Sequence, residues 1–124
     1  MKPLAELVAE RGIEATGRRY FAAVRAHDRD PDQWIVDALW PGDGIDDETH
    51  LLLVLAALDA AEDDDDLWLL GDGPIEEGMW PRPEMRERMK ALRPMNPRLD
   101  ELWRVMERYY RETLDRDPGI WTER

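Results

Sequence analysis

Apolar residues in this chain recur at three- and four-residue spacing, the period of an amphipathic helix, and no segment sustains the alternation of a half-buried strand. Leu4, Leu7 and Val8 share one face of a first helix that follows Pro3 and is ended or bent by Gly12. A second helix, from about Glu14 to Ala26, carries Tyr20, Phe21 and Val24, with Arg18, Arg19 and Arg25 outward. Asp30 before Pro31 has the order of an N-cap followed by proline at the first helical position. It opens a short helix through Trp34, Ile35, Val36, Leu39 and Trp40, which Pro41, Gly42 and Gly44 stop.

The next stretch, residues 51–61, is apolar nearly all round, so it predicts a central helix contacted on several sides. Asp46, Asp47 and Glu48 place negative charge at its start, where free amides favour it. Leu67 to Leu70 predict a short turn of helix ended by Gly71, after which Pro74 starts another turn with Glu76 and Glu77. Beyond Pro81, Met85, Met89 and Leu92 mark a helix that Pro94 ends. In the last helix Asn96 caps, Pro97 follows, and Leu99, Leu102, Trp103, Met106, Tyr110 and Leu114 trace one stripe. Asp100 with Arg104 and Glu107 with Arg111 form i,i+4 pairs on its outer side. The tail, residues 117–124, carries Ile120 and Trp121 and is left to dock back or stay loose. The predicted fold class is all-α: one compact domain, residues 1–124, a bundle of about six short helices around the central one.

A chain of 124 residues with six tryptophans is long enough to bury one core. Cysteine is absent, which excludes disulfides, thiolate metal sites and cysteine catalysis. The longest strong apolar run, Leu51 to Leu58, is far short of a membrane span, and Glu6 and Glu10 stand where a signal peptide needs apolar residues. A cytoplasmic location is therefore expected. Fifteen of the seventeen basic residues are arginine, a bias that a GC-rich bacterial coding sequence produces.

Charge changes the picture more than composition does. The net −12 is distributed unevenly: residues 46–77 hold twelve acids and no base, while the flanking segments nearly balance. Glu62, Asp63, Asp64, Asp65 and Asp66 stand in a row and must face water or a cation, because an unpaired buried carboxylate is prohibitive. An acidic run of this kind is ordinarily a solvated surface that aids solubility. It also argues against nucleic acid and against an anionic membrane as partners, and in favour of a basic protein.

The segment LWLLGDGPIEEGM (67–79), with HLLLVLAALDAA before it and MNPRLDELWRVM after it, resembles a bacterial domain of unknown function. Members of that family show a helix, an acidic turn, a leucine-rich turn with Gly-Pro-Leu-Glu, and a terminal helix after an Asp-Pro or Asn-Pro step. The resemblance spans roughly residues 48–107; Ile75 replaces the usual leucine, and the inserted WPRP (80–83) departs from the family's more regular helix. It implies a shared fold and brings no activity with it.

Motifs for chemistry are sparse. Gly71, Gly73 and Pro74 lack the lysine of a phosphate loop and the third glycine of a dinucleotide fingerprint, and Asp72, Glu76 and Glu77 surround them, so they read as a structural turn. Asp28, Asp30 and Asp32 have the spacing that opens a calcium loop, but Gln33 and Leu39 stand where glycine and glutamate are required. Asp46, Asp47 and His50 share a helical face at metal-site spacing, without a matching second helix, and His27 stands alone. No nucleophile elbow or catalytic triad order is present, and no cofactor motif. Trp34, Trp68 and Trp103 lie on apolar faces as core residues; Trp80 and Trp121 are the better candidates for exposure, although packing is the commoner fate even there.

The favoured function is an acidic protein-binding module of the immunity or inhibitor kind, leaning away from an enzyme. Glu62, Asp63, Asp64, Asp65 and Asp66 would supply the field, and Trp68, Glu77 and Trp80 the contacts to a basic partner. The alternatives are a metal-dependent helical enzyme built on Asp46, Asp47 and His50, and a structural or homo-oligomeric module. In the oligomer, the acidic segment of one copy would meet the arginine-rich residues 82–111 of another. The favoured role requires the twelve carboxylates to be uncompensated. Arginines of the last two helices folded over them would remove its basis.

Overall fold

Side-chain caps set the starts of three helices in the computed structural model, which describes residues 2–26, 29–40 and 44–122. Asp28, His27, Pro41 and Gly42, invoked above, lie outside those residues. Helix α1 spans Leu4–Arg11, and Gly12, at φ 98°, turns the chain into α2, Ile13–Arg18. A left-handed residue is needed there, and glycine adopts it at no steric cost. The continuous helix expected for residues 14–26 is instead broken at Arg19, and α3 runs from Tyr20 to Ala26. Two local hydrogen bonds mark the break. Thr16 Oγ1 donates to the Gly12 carbonyl at 2.7 Å, and the Arg19 amide bonds Thr16 three residues back.

Helix α4, Trp34–Leu39, starts later than the Asp30–Pro31 step suggests, because the Asp30 side chain accepts the Asp32 amide at 2.7 Å and closes a turn instead. Helix α5, Asp47–Ala60, is capped by Asp46, whose carboxylate accepts the Thr49 amide at 2.7 Å. Helix α6, Asp64–Leu70, is capped by Asp63 in the same way, through the Asp66 amide. Gly71 does not end it. The chain continues in helical conformation as a π-helical segment, Gly71–Met79, with Pro74 inside. A widened turn of this kind accommodates a residue that has no amide hydrogen to give. The glycines serve packing rather than termination: a Cβ on Gly71 would stand 2.7 Å from Met106 Sδ, and one on Gly73 would stand 2.6 Å from the Trp40 ring.

Helix α7 spans Pro83–Leu92 and passes through a 3-10 turn, Arg93–Met95, to α8, Pro97–Arg108. Asn96 caps α8 by accepting the amides of Arg98 and Leu99. A π turn, Tyr109–Thr113, prolongs α8, and a last 3-10 turn covers Gly119–Thr122. No strand occurs among the described residues, and the fold is all-α.

Helix α5 lies centrally, packed against α2, α4, α6 and α8. Its closest crossing is with α2 at Gly17, where a Cβ would meet the Leu53 carbonyl at 2.5 Å. Leu53, Val54, Ala57 and Leu58 of α5 join Leu67 and Leu70 of α6, Met85 and Met89 of α7, and Leu99, Leu102 and Met106 of α8 in one buried cluster. Each large aliphatic or aromatic side chain buried there contributes roughly 1.5–3 kcal/mol over its exposed state.

The tail docks. Trp121 is fully buried, its ring 5.2 Å from that of Trp80 and 5.4 Å from that of Trp103. Its indole Nε1 donates to Glu76 at 2.9 Å, and the Tyr110 hydroxyl donates to the same carboxylate oxygen at 2.5 Å. Trp80 is 5% exposed. The two tryptophans that were the better candidates for exposure take the commoner fate and are core residues, because together with Trp103 they fill the space between the π-helical segment and α8. No helix among the described residues is long and apolar enough to cross a membrane.

Candidate functional site

The base-free segment presents two acidic helix starts, and they are built differently. At the start of α5, His50 is completely buried. Its Nε2–H donates to the Leu39 carbonyl at 2.5 Å, and its Nδ1 accepts from Arg82 Nη2 at 2.7 Å. Arg82 also pairs with Asp47 and donates through Nε to the Gly78 carbonyl at 3.1 Å. Burial pushes His50 down to about 4, against the opposing pull of the Leu39 carbonyl, so the ring is neutral near pH 7. Glu48 meets Arg88 at 2.7 Å. Asp46 caps the helix, and the Thr49 amide holds its carboxyl below the usual carboxylate range.

These contacts weigh against the metal reading. Asp46, Asp47 and both nitrogens of His50 are engaged by Thr49, Arg82 and Leu39, so they do not open together toward an ion. Among the described residues, no three His, Asp or Glu side chains are grouped so as to hold a metal. Asp30 and Asp32, from the calcium-loop spacing, are tied to Arg19 and Arg11 at 2.8 and 2.7 Å.

At the start of α6 the carboxylates divide. Asp66 turns inward: it is 5% exposed, accepts Arg25 Nη2 at 2.5 Å and accepts the Glu62 amide at 2.9 Å. It thereby leaves the candidate surface, because α6 packs its third acid against the body of the protein. Asp64 meets Arg108 at 3.3 Å, with both side chains more than half exposed. Glu62, Asp63 and Asp65 are exposed and take part in no ion pair among the described residues.

One turn further on, Trp68 is partly buried, its ring 5.3 Å from that of Tyr109. It separates two shallow grooves. One, of about 360 Å³, runs toward α8 and is lined by Arg108 and Tyr109; the other, of about 370 Å³, runs toward α3 and is lined by Val24 and Arg25. Asp65 and Trp68 line both.

Three further acids, Asp72, Glu76 and Glu77, lie on the π-helical segment. Glu76 is occupied by Tyr110 and Trp121, and burial, followed by the charges of Glu76 and Glu77, raises the Asp72 carboxyl above its ordinary value. Glu77 is exposed but lines neither groove beside Trp68, and Trp80 is in the core. Of the twelve carboxylates, Asp47, Glu48, Asp59, Asp64 and Asp66 carry arginine partners. Three of those arginines come from the last two helices or their start: Arg82 immediately before α7, Arg88 on α7 and Arg108 on α8. The uniform acidic face expected from the sequence is thereby reduced to Glu62, Asp63 and Asp65, with Asp64 loosely paired at its edge.

Arg82 and Tyr109 were not anticipated as partners of His50 and Trp68. Each lies more than thirty residues away along the chain, and no spacing rule connects residues so distant. Comparison of the chain with protein-family models, curated proteins and solved structures finds no match. The likeness to the bacterial domain rests on its quoted residues alone.

Proposed function

We propose that the protein binds a basic protein segment at the start of α6, as an acidic immunity-type or inhibitor module does. One observation carries this: Trp68 and Asp65 line two adjoining grooves, and Glu62, Asp63 and Asp65 beside them form no ion pair among the described residues. Glu62, Asp63 and Asp65 steer an arginine or lysine toward the grooves, and the flat face of Trp68 receives the aliphatic stem or the guanidinium. Charges this exposed act mainly on the rate of encounter, so the aromatic ring supplies most of the lasting contact.

The arginines found over the start of α5 narrow this role to one helix start. They also weigh against the oligomeric alternative, since Arg82, Arg88 and Arg108 already meet Asp47, Glu48 and Asp64 within one chain.

The test is calorimetric titration with an arginine-rich peptide of about twelve residues at several salt concentrations. Glu62→Gln with Asp65→Asn should weaken binding about tenfold and flatten the salt dependence. Glu84→Gln with Glu101→Gln, which changes net charge equally elsewhere, should leave binding unchanged. Equal weakening by both pairs would reduce the effect to bulk charge and overturn the proposal.

A further inference from the structure

On the opposite flank of α8 lies a cleft of about 420 Å³, bounded by the last turn of α7, the 3-10 turn and the middle of α8. Its size falls within the range of small-molecule sites, roughly 300–1,000 Å³. Its charge is unusual for so acidic a protein: Arg93 and Arg104 line it against Asp100 and Glu107, and a third cation there, Lys90, is paired with Glu87 at 3.6 Å. Glu107 is drawn off by Arg111 at 3.3 Å. Asp100 binds both arginines through the same atom type, accepting Nε–H from Arg93 at 2.8 Å and from Arg104 at 2.9 Å. Arg93 first, and Arg104 after it, hold the Asp100 carboxyl below the usual carboxylate range, so the tether is charged at neutral pH.

A guanidinium tethered through Nε keeps its two terminal amino groups for something else. Among the described residues, those groups on Arg93 and Arg104 make no hydrogen bond. Arg93 is also fixed in place, its guanidinium 4.9 Å from the centre of the Trp103 ring and its side chain 16% exposed. The wall beside these donors is apolar at Pro94, and Trp103 lies beneath it with Arg93 over its ring. Trp103 contributes a further orphan: it is fully buried, and its indole Nε1 has no acceptor. An unpaired buried donor is uncommon in folded proteins.

From this pairing we infer that the α7–α8 cleft is a binding site for a small carboxylate, its carboxyl group held by Arg93 and Arg104 and its apolar part against Pro94. Two guanidiniums fixed by one carboxylate present the forked donors that a carboxylate accepts in pairs. The distant acids do not cancel this local field, since charges more than about 8–10 Å away are largely screened at physiological salt. The site is independent of the acidic interface at α6.

The experiment is a titration of the isotopically labelled protein with benzoate, followed by amide and indole N–H resonances at constant ionic strength, with inorganic phosphate and benzyl alcohol as separate arms. Benzoate should shift the Trp103 indole and the amides of residues 90–104 saturably, while the Trp68 indole stays in place. Phosphate and benzyl alcohol should each bind at least tenfold more weakly. Arg104→Gln, at an exposed position, should weaken benzoate about tenfold with the spectrum otherwise preserved. Arg93→Lys, which keeps the charge but loses the fork, should weaken it as well. Absence of saturable shifts at Trp103, phosphate binding as tight as benzoate, or full affinity in a folded Arg104→Gln variant would each overturn the inference.

Discussion

The starts of α5 and α6 are nearly the same object in sequence, an aspartate cap followed by further acids and then an apolar run, and yet they have opposite fates. At α5 the acids are taken up by the arginines of α7, and a buried histidine locks the arrangement from beneath. At α6 a single acid, Asp66, is drawn inward to Arg25, and Glu62, Asp63 and Asp65 are left to solvent beside Trp68. The lesson is that an acidic helix start is a structural brace where a neighbouring helix brings cations, and an available surface where none arrives. Local charge alone does not distinguish the two.

The largest expected effect tests the brace by pH. His50 is held at about 4 in the folded chain against an ordinary 6.5, so its neutral form favours the fold above pH 6.5. That contribution declines as pH falls from 6.5 to about 4 and is gone below it. The loss is roughly 3 kcal/mol over that window, from about 1.4 kcal/mol per pKa unit. Chemical denaturation measured across it should show the decline, and His50→Gln should flatten it. A profile unchanged by His50→Gln would separate the brace from the histidine.

Smaller, but specific to the same helix start, is removal of the cation. Arg82→Met strands His50 Nδ1 in the core and frees Asp47, and should cost about 1–3 kcal/mol in denaturant unfolding. If the variant were as stable as the parent, the contrast with α6 would lose its structural half.

The smallest effects belong to the exposed start. Asp63→Ala removes the cap on the Asp66 amide and should cost about 1 kcal/mol. Asp65→Asn should change stability by less than about 0.5 kcal/mol, as exposed charges do. Thermal melts of the two variants side by side check this ranking. A large loss for Asp65→Asn would mean that this acid braces the fold as those of α5 do.

Helix positions followed from apolar spacing and caps because both are local: Asp46, Asp63 and Asn96 each bond amides two or three residues on, within reach of any sequence rule. Where the reading went astray, a distant partner decided the outcome. Gly71 and Gly73 looked like a turn, but their lack of a side chain admits Met106 and Trp40 instead. Trp80 and Trp121 could not be told apart from surface residues by spacing, and the fold stacks them with Trp103 around a tail that Glu76 anchors.

By itself, then, the sequence determined an all-α chain, its capped helices, and a band of twelve acids with no base among them. Only the tertiary structure decided which acids remain unpaired, which tryptophans are buried, and that Arg93 and Arg104 share one aspartate. The physical reason is range. Backbone capping and helical periodicity act over a few residues, whereas neutralising a carboxylate or burying a ring depends on which side chains the packed helices bring together from far along the chain.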